Sequence, residues 1–189
     1  MKFKSRLLRK MSKEELQKAF TRLGEILRDQ RVIGEIAVFG GAAIVLGFGF
    51  REGTKDVDAL VLEAHGQVMR AAQEVGKELN LPPNWLNEQA TVYLSKRRDF
   101  EWFRTYPSEG QFGLRVLMAS PQYMLAMKLL ALRTFSDDVQ DIVGLARRLH
   151  RTSAEDLVQL VRRYYPDEEI SSEKLTQIQD LVRQISAAP

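Results

Sequence analysis

The amino-acid sequence predicts an α+β fold, in which a small mixed sheet flanked by helices is followed by a C-terminal helical bundle. Two observations predict it. Up to residue 118, short apolar runs that end at glycine or proline turns alternate with helical patterns. From residue 119 onward, only helical patterns with capping signals remain. We therefore predict a core with an N-terminal helix over residues 1–118, and a helical part packed on that core over residues 119–189.

The first predicted element is a helix over residues 13–28. Ser12 and Glu15 have the spacing of a capping box, and apolar residues from Leu16 to Leu27 recur at helical intervals. Further along, the patterns predict a strand over 36–39, a short helix over 42–46, a strand over 57–62, a helix over 67–79, strands over 91–94 and 114–118, and either a helix or a loop over 97–106.

The helices of the C-terminal part are predicted from their start and stop signals. Ser120 precedes a proline at the first helical position, Ser136 is a candidate cap, and Thr152 with Glu155 has capping-box spacing. The predicted helices run from 121 to about 133, from 136 to about 150, from 152 to 166, and from 172 to 186.

Composition excludes several classes of site. The 189 residues include no cysteine, so disulfides, zinc–thiolate sites, iron–sulfur clusters and cysteine nucleophiles are excluded. The only histidines, His65 and His150, are too few for a histidine metal cluster, and we interpret both as ordinary surface or helix-end residues. No apolar window has the length of about 18 residues that a membrane span needs, and the basic N-terminus lacks an apolar signal region. We expect a cytoplasmic protein with no membrane partner.

Charge is distributed unevenly along the chain. Residues 1–31 contain ten Lys or Arg and four Asp or Glu, a balance of +6, whereas the remainder has a balance of −3. A basic end can attract nucleic acid, and it is equally typical of a solvated terminal segment. Both interpretations stay open.

Two motifs point to phosphate chemistry. Gly40-Gly41 stands between a predicted strand and a predicted helix, where backbone N–H groups can meet an anion, although an ordinary turn would look the same. Asp56 and Asp58 open the next strand, and residues two apart on a strand share a face. Two converging carboxylates favour a divalent cation such as Mg²⁺, unless they are solvated turn residues.

Lys128 is the third unusual feature. Its helical neighbours three and four positions away are apolar, so the ammonium must reach water or find an anionic partner. A nucleotide phosphate would serve as that partner. The charged residues that follow it, Arg133, Asp137, Asp138 and Asp141, are interpreted mainly as ion-pair supports for Lys128 or Arg133.

Together, Gly40-Gly41 and the Asp56-x-Asp58 pair fifteen residues later resemble the signature of the nucleotidyltransferase superfamily, whose fold is shared with the catalytic core of DNA polymerase beta. The stretch from Arg51 to Asp58 looks like the branch that contains AbiEii-type toxins of type IV toxin–antitoxin systems. The stretch 124–133 with Asp138-x-x-Asp141 is similar to a related, poorly characterised group of small bacterial proteins.

The resemblance implies roles for these residues. Asp56 and Asp58 would bind Mg²⁺ or Mn²⁺, and Gly40 and Gly41 would meet the phosphates of an NTP such as ATP. Lys128 would contact phosphate as a catalytic residue, supported by Asp138 and Asp141. The further nucleotide-binding residues that the resemblance implies are Arg51, Thr54, Lys55 and Arg133.

Many members of the superfamily carry a third carboxylate on a following strand, where it helps to deprotonate the attacking hydroxyl. The strands predicted here over 91–94 and 114–118 contain no acid. Glu88 and Glu101 are the candidate third acids. Without one, a water molecule or Asp58 must take the proton.

The leading hypothesis is a Mg²⁺-dependent nucleotidyltransferase that moves an NMP from an NTP to a hydroxyl of RNA, such as a tRNA-like acceptor, or of a protein. The resemblance implies a toxin–antitoxin component with a cognate antitoxin or toxin as partner. Two alternatives stay open. One is a catalytically weak or inactive binding or regulatory protein on this fold, and the other is a basic RNA-binding module that uses residues 1–31.

Overall fold

The computed structural model describes residues 9–132 and 137–187. Over these ranges the chain forms two compact units. The first contains residues 9–92 and 100–119, and the second contains residues 93–99 with the described residues from 120 onward. No helix in the described ranges is both long and apolar enough to cross a membrane.

The first unit is built on a five-stranded mixed sheet. Its elements are α1 (Lys13–Asp29), β1 (Ile33–Phe39), α2 (Gly40–Gly47), β2 (Val57–Glu63), α3 (His65–Glu78), β3 (Leu86–Asn87), a 3-10 helix (Gln89–Tyr93) at the unit boundary, β4 (Phe100–Tyr106) and β5 (Gly113–Ala119). The strand order is β3-β2-β1-β5-β4. The pairs β1–β5 and β2–β3 are parallel, and the pairs β1–β2 and β4–β5 are antiparallel. The predicted small mixed sheet flanked by helices is confirmed.

Helices α1 and α3 cover one face of this sheet. Gly34 of β1 faces both helices, because a Cβ on it would lie 2.8 Å from Leu27 of α1 and 2.7 Å from Val68 of α3. Ile36 and Val38 alternate onto the same face as Gly34, and both are fully buried. The apolar spacing of the two helices therefore reflects burial against the sheet.

The start of α1 confirms the predicted capping box. The Ser12 hydroxyl accepts a hydrogen bond from the Glu15 N–H at 3.3 Å, and the Glu15 carboxylate accepts one from the Ser12 N–H at 3.0 Å. Two backbone donors that a helix leaves without partners are thus satisfied.

The predicted strand over residues 91–94 is wrong. Residues 89–93 form a 3-10 helix, in which Val92 is 80% exposed. The reason is local, because Asn87 accepts a hydrogen bond from the Gln89 N–H at 2.9 Å and turns the chain away from the sheet. The β-branched and aromatic residues that suggest a strand here have no sheet neighbour to pack against.

The prediction of a helix or loop over residues 97–106 is also wrong, since β4 occupies Phe100–Tyr106. This strand is at the edge of the sheet, and its register with β5 shifts between Trp102 and Arg104. An edge position and a local irregularity remove the regular alternation of buried and exposed residues that identifies a strand in a sequence.

The second unit is helical, which confirms the predicted C-terminal helical part. In its described residues the helices are α4 (Pro121–Leu130), α5 (Asp137–Arg148), α6 (Ala154–Tyr164) and α7 (Ser172–Ser186). The cap of α6 is Ser153, which accepts a hydrogen bond from the Asp156 N–H at 3.1 Å, so the cap predicted at Thr152 is wrong by one residue. Ser136, the predicted cap of α5, lies outside the described residues.

The segment that precedes β4 is anchored to these helices. The Ser95 N–H donates a hydrogen bond to the Tyr123 hydroxyl at 2.8 Å. The hydroxyls of Ser120 and Tyr164 donate to the same oxygen of Asp99, at 2.7 and 2.6 Å. Burial raises the pKa of Tyr164, and the bond to Asp99 raises it further, so this hydroxyl remains a donor. These bonds make the segment part of the second unit.

Replacing Gly24 of α1 with alanine will destabilise the protein. A Cβ there would lie 2.0 Å from the carbonyl oxygen of Tyr106, which is a backbone atom and cannot move aside easily. Overpacking costs about 1–3 kcal/mol or more, which outweighs the roughly 0.5–1 kcal/mol that alanine gains over glycine inside a helix. We expect the free energy of unfolding, measured in urea by circular dichroism, to fall by about 2 kcal/mol or more.

Gly66→Ala is the matched control, because Gly66 is also helical and a Cβ there would meet only the flexible end of Arg70, at 3.3 Å. We expect its free energy of unfolding in urea to equal that of the wild type or to be slightly higher. Equal stability of Gly24→Ala and Gly66→Ala would contradict the close approach of α1 to the end of β4.

Candidate active site

A glycine turn joins β1 to α2. β1 ends at Phe39, and α2 begins at Gly40. Gly40 has a φ of +65°, a left-handed conformation that glycine adopts without steric cost. The first N–H groups of any helix lack partners within it and attract anions. The turn therefore offers backbone donors suited to a phosphate.

Asp58 lies beside this turn. In the antiparallel pairing of β1 with β2, Asp58 is opposite Phe39, the residue before the turn. A Cβ on Gly40 would lie 3.1 Å from Oδ2 of Asp58. Its neighbours Val57 and Ala59 are buried on the covered face, whereas Asp58 is half-buried on the other face. The sheet thus brings one predicted carboxylate to the predicted phosphate-binding turn.

Gly41 is surrounded by two more of the predicted residues. A Cβ on Gly41 would lie 2.8 Å from Oγ1 of Thr54 and 3.1 Å from the guanidinium of Arg51. Thr54 is 3% exposed, and its hydroxyl donates a hydrogen bond to the Asp56 carbonyl at 3.1 Å. Arg51 Nε donates to the Gly53 carbonyl at 3.0 Å. Only glycine leaves room for these side chains at the turn.

Asp56 directly precedes β2 and is half-buried, and the adjacent Lys55 is exposed. The convergence of Asp56 with Asp58 on one face stays a prediction, because Asp56 lies outside the strand. The described residues contain no group of three or more His, Asp or Glu side chains that could hold a metal ion. If Asp56 and Asp58 converge at the glycine turn, the pair would fit Mg²⁺, which binds proteins through one or two carboxylates and takes its other ligands from phosphates and water.

Glu88, one candidate third acid, is bonded elsewhere. Its Oε1 accepts a hydrogen bond from the Val61 N–H at 3.0 Å, and its Oε2 lies 2.7 Å from His65 Nε2. Its neighbour Asn87 pairs with Asp58. Glu88 itself follows the last residue of β3, and both of its carboxylate oxygens are engaged by Val61 and His65.

Glu101, the other candidate, lies on β4 opposite Met118. Met118 is beside Val38, and Val38 is opposite Ala59. Residues paired across neighbouring strands share a face, so Glu101 is on the face that Ala59 occupies and Asp58 does not. The register therefore turns Glu101 away from Asp58, and the carboxylate of Glu88 is bonded to Val61 and His65.

Asn87 stands next to Asp58 instead, and no motif in the sequence singles it out. The two residues pair in the parallel β2–β3 register, and Asn87 is 8% exposed. β3 has two residues, which is too short for an alternating pattern to reveal it. The Trp85–Leu86 pair before Asn87 is the signal that could have indicated a buried strand here.

Lys128 of α4 contacts two carboxylates of α5. Its Nζ lies 2.7 Å from Oδ1 of Asp138 and 2.8 Å from Oδ2 of Asp141. The side chains of Lys128 and Asp141 are 11% and 3% exposed. These are the contacts of the ion-pair support that the sequence suggests, and contact with a nucleotide phosphate stays a prediction.

The predicted site residues fall in both units. Gly40, Gly41 and Asp58, with Arg51, Thr54, Lys55 and Asp56, belong to the first. Lys128, Asp138 and Asp141 belong to the second. Arg133 lies outside the described residues.

The glycine turn that faces a carboxylate on the next strand of a mixed sheet is the arrangement that the resemblance to nucleotidyltransferases leads one to expect. The chain belongs to the family described as "Nucleotidyltransferase of unknown function (DUF6036)", which it matches over residues 14–185. The resemblance to the nucleotidyltransferase superfamily is thus confirmed, and the narrower likeness to AbiEii-type toxins stays a prediction. Comparison with curated proteins gave no match, and comparison with solved structures gave none.

Replacing Lys128 with methionine will destabilise the protein. The substitution leaves the Asp141 carboxylate, which is almost fully buried, without its ammonium partner. Breaking one side of a buried ion pair costs about 3–5 kcal/mol. We expect a loss of this size in the free energy of unfolding in urea.

The double variant Lys128→Met, Asp141→Leu tests whether the unpaired Asp141 carboxylate causes this loss of stability. It removes the buried carboxylate together with the ammonium, while Asp138, at 33% side-chain exposure, stays partly hydrated. We expect it to recover most of the stability that Lys128→Met loses. A single variant as stable as the wild type would show that the ion pair does not support this unit.

Proposed function

We propose that this protein transfers a nucleoside monophosphate from an NTP such as ATP to a hydroxyl of RNA or of a protein, with Mg²⁺ or Mn²⁺ as cofactor. The observation that carries the proposal is the position of Asp58, whose Oδ2 would lie 3.1 Å from a Cβ on Gly40. A carboxylate and a phosphate-binding backbone turn are therefore within the reach of one triphosphate. Membership of a nucleotidyltransferase family supports the same class of reaction.

The protein's own groups would bind and orient the triphosphate. Backbone N–H groups of the turn at Gly40 and Gly41 would donate hydrogen bonds to phosphate oxygens. Arg51, whose guanidinium is close to Gly41, would add a planar set of donors that matches phosphate geometry. Thr54 would position the loop through its bond to the Asp56 carbonyl, and the exposed Lys55 would add positive charge.

Asp56 and Asp58 are the residues that would hold the metal ion, through the carboxylate oxygens that Mg²⁺ prefers. When bound, the ion would neutralise charge on the phosphates as the transfer proceeds. The acceptor oxygen would form a bond to the α-phosphorus while pyrophosphate leaves, and Asp58 or a water molecule would take the proton of the acceptor hydroxyl. The resemblance also implies phosphate contacts for Lys128 and Arg133, and Lys128 binds the carboxylate oxygens of Asp138 and Asp141.

RNA is the acceptor that we favour, with a tRNA-like 3′ end as the example. The balance of +6 over residues 1–31 supports this choice, because clustered Lys and Arg attract a phosphate backbone. We further propose that the protein acts in the bacterial cytoplasm as part of a toxin–antitoxin system, with a cognate antitoxin or toxin as its partner. The support for that role is the likeness of residues 51–58 to AbiEii-type toxins.

A second candidate function is a binding or regulatory protein on this fold. One observation favours it: the sheet register turns Glu101 away from Asp58, and Glu88 is bonded to Val61 and His65 instead. Such a protein would bind a nucleotide without turning it over. A basic RNA-binding module would instead show salt-sensitive RNA affinity that survives the loss of both aspartates.

Asp56→Asn and Asp58→Asn will each reduce transfer by about 100-fold or more, because each removes a charged metal ligand. The measurement incubates the purified protein with each α-³²P-labelled NTP, Mg²⁺ and a cell extract, and then separates RNA from protein. Label in the RNA fraction is the expected result.

Glu63→Gln is the matched control, since it removes an exposed carboxylate from the far end of the same strand. It should transfer label like the wild type. Full activity of Asp58→Asn would overturn the assignment of the site. Nucleotide binding by the wild type with no transfer of any NTP would favour the regulatory protein, and label in the protein fraction would replace RNA by a protein acceptor.

A further inference from the structure

Two phenylalanines directly after α2 have no role in the proposed reaction. The ring centroids of Phe48 and Phe50 are 5.9 Å apart, and the ring planes differ by 26°, so the rings are stacked. Phe50 is 41% exposed. A single exposed apolar side chain is ordinary on a protein surface. What distinguishes this one is its position between two anchored points of the backbone.

The first anchor is the end of α2. The N–H groups of Phe48 and Gly49 both donate to the carbonyl of Ile44, at 3.0 and 3.3 Å. Gly49 has a φ of +73°, the left-handed conformation that ends many helices. The backbone that carries Phe48 is therefore fixed to the helix, and the ring of Phe48 stacks against that of Phe50.

The second anchor is the glycine turn. Arg51 follows Phe50 directly, and its guanidinium lies 3.1 Å from the position of a Cβ on Gly41. Arg51 also donates to the Gly53 carbonyl at 3.0 Å, which holds the loop in place. Phe50 is the residue next to Arg51 and consecutive Cα atoms are about 3.8 Å apart, so the reach of the Arg51 side chain to Gly41 sets an upper limit on the distance from the Phe50 backbone to the turn. The exposed ring and the turn thus lie on one short segment of the chain, which a single bound nucleotide can contact at both its base and its phosphates.

We propose that Phe50, supported by Phe48, is the stacking surface for the base of the NTP whose phosphates bind at Gly40 and Gly41. This inference rests on the proposed function, because it needs a triphosphate at the turn. Aromatic side chains stack on any base, since every base has a π-face. A phenyl ring has no polar group to read base edges, so this subsite discriminates by stacking area and favours purines over pyrimidines.

The test compares ligands that share phosphates and differ in the base. Isothermal titration with Mg²⁺ measures the Kd of ATP, GTP, CTP, UTP and inorganic tripolyphosphate for the wild type and for Phe50→Leu. Leucine keeps an apolar side chain and removes the ring. We expect Phe50→Leu to weaken ATP and GTP binding by about 10-fold and to leave tripolyphosphate binding unchanged. In the same variant, the Kd values of CTP and UTP should differ less from those of ATP and GTP than they do in the wild type.

Two further variants control the test. Phe50→Trp keeps an aromatic surface and should bind ATP at least as tightly as the wild type. Trp102→Leu removes another exposed aromatic ring, 60% exposed on the edge strand β4, and should change no Kd.

The outcomes separate this inference from the proposed function. If wild-type protein binds ATP and tripolyphosphate, and Phe50→Leu binds both as well as the wild type does, the base subsite is overturned and the phosphate site stands. Equal weakening of both ligands in Phe50→Leu also overturns the subsite, since it would show a disturbed turn. If the wild type binds neither ligand, the proposed function fails, and the subsite fails with it.

Discussion

The pairing register of β1 with β2 is the constraint on which the candidate site depends. It sets Asp58 opposite Phe39, at the point where the chain enters the glycine turn. Side chains on a strand alternate with a period of two, so a slip of one residue would turn Asp58 to the covered face. Val57 and Ala59 oppose that slip, because they fill the covered face and the charged Asp58 side chain would have to take their buried place. Burial of the apolar side chains on either side therefore fixes the position of the charge.

Close packing against glycines is the second feature on which the structure of the first unit depends. Gly34 allows α1 and α3 to approach the sheet, and Gly41 leaves space for Thr54 and Arg51. The loop that carries these two residues is held by a backbone pair in which Thr54 and Met11 each donate to the carbonyl of the other. Met11 is fully buried and immediately precedes the cap of α1. The start of the first helix thus supports the loop beside the glycine turn.

The second unit has a buried charge as its central polar feature. Lys128 lies among apolar neighbours on α4, and it is tolerated there because α5 supplies Asp138 and Asp141. Two carboxylates around one ammonium satisfy the donors that burial would otherwise leave without partners. A phosphate also presents anionic oxygens to an ammonium group. The sequence around Lys128 is therefore compatible with either a carboxylate or a phosphate as its partner.

Helix starts and turns that are marked by residues close together in the sequence are predicted correctly. The capping box at Ser12, the serine–proline start of α4 and the glycine pair after β1 each act within a few residues, and the structure has the corresponding elements in these places. β4 and β3 lack such signals. β4 is an irregular edge strand, and β3 has two residues whose pairing depends on a strand far away in the chain. Their identity is decided by neighbours, not by their own composition.

The sequence by itself determined the class of protein. The glycine turn, the spaced aspartates and the helical second half are patterns of residues close together in the chain, so they can be recognised without knowing the fold. Only the tertiary structure decided which groups meet. The β-sheet register gave Asp58 the neighbours Phe39 and Asn87, and it turned Glu101 to the opposite face, while Glu88 bonded to Val61 and His65. The packing of α5 on α4 chose the carboxylates that Lys128 binds. These choices depend on contacts between residues distant in sequence, where a shift of one position exchanges the two faces of a strand.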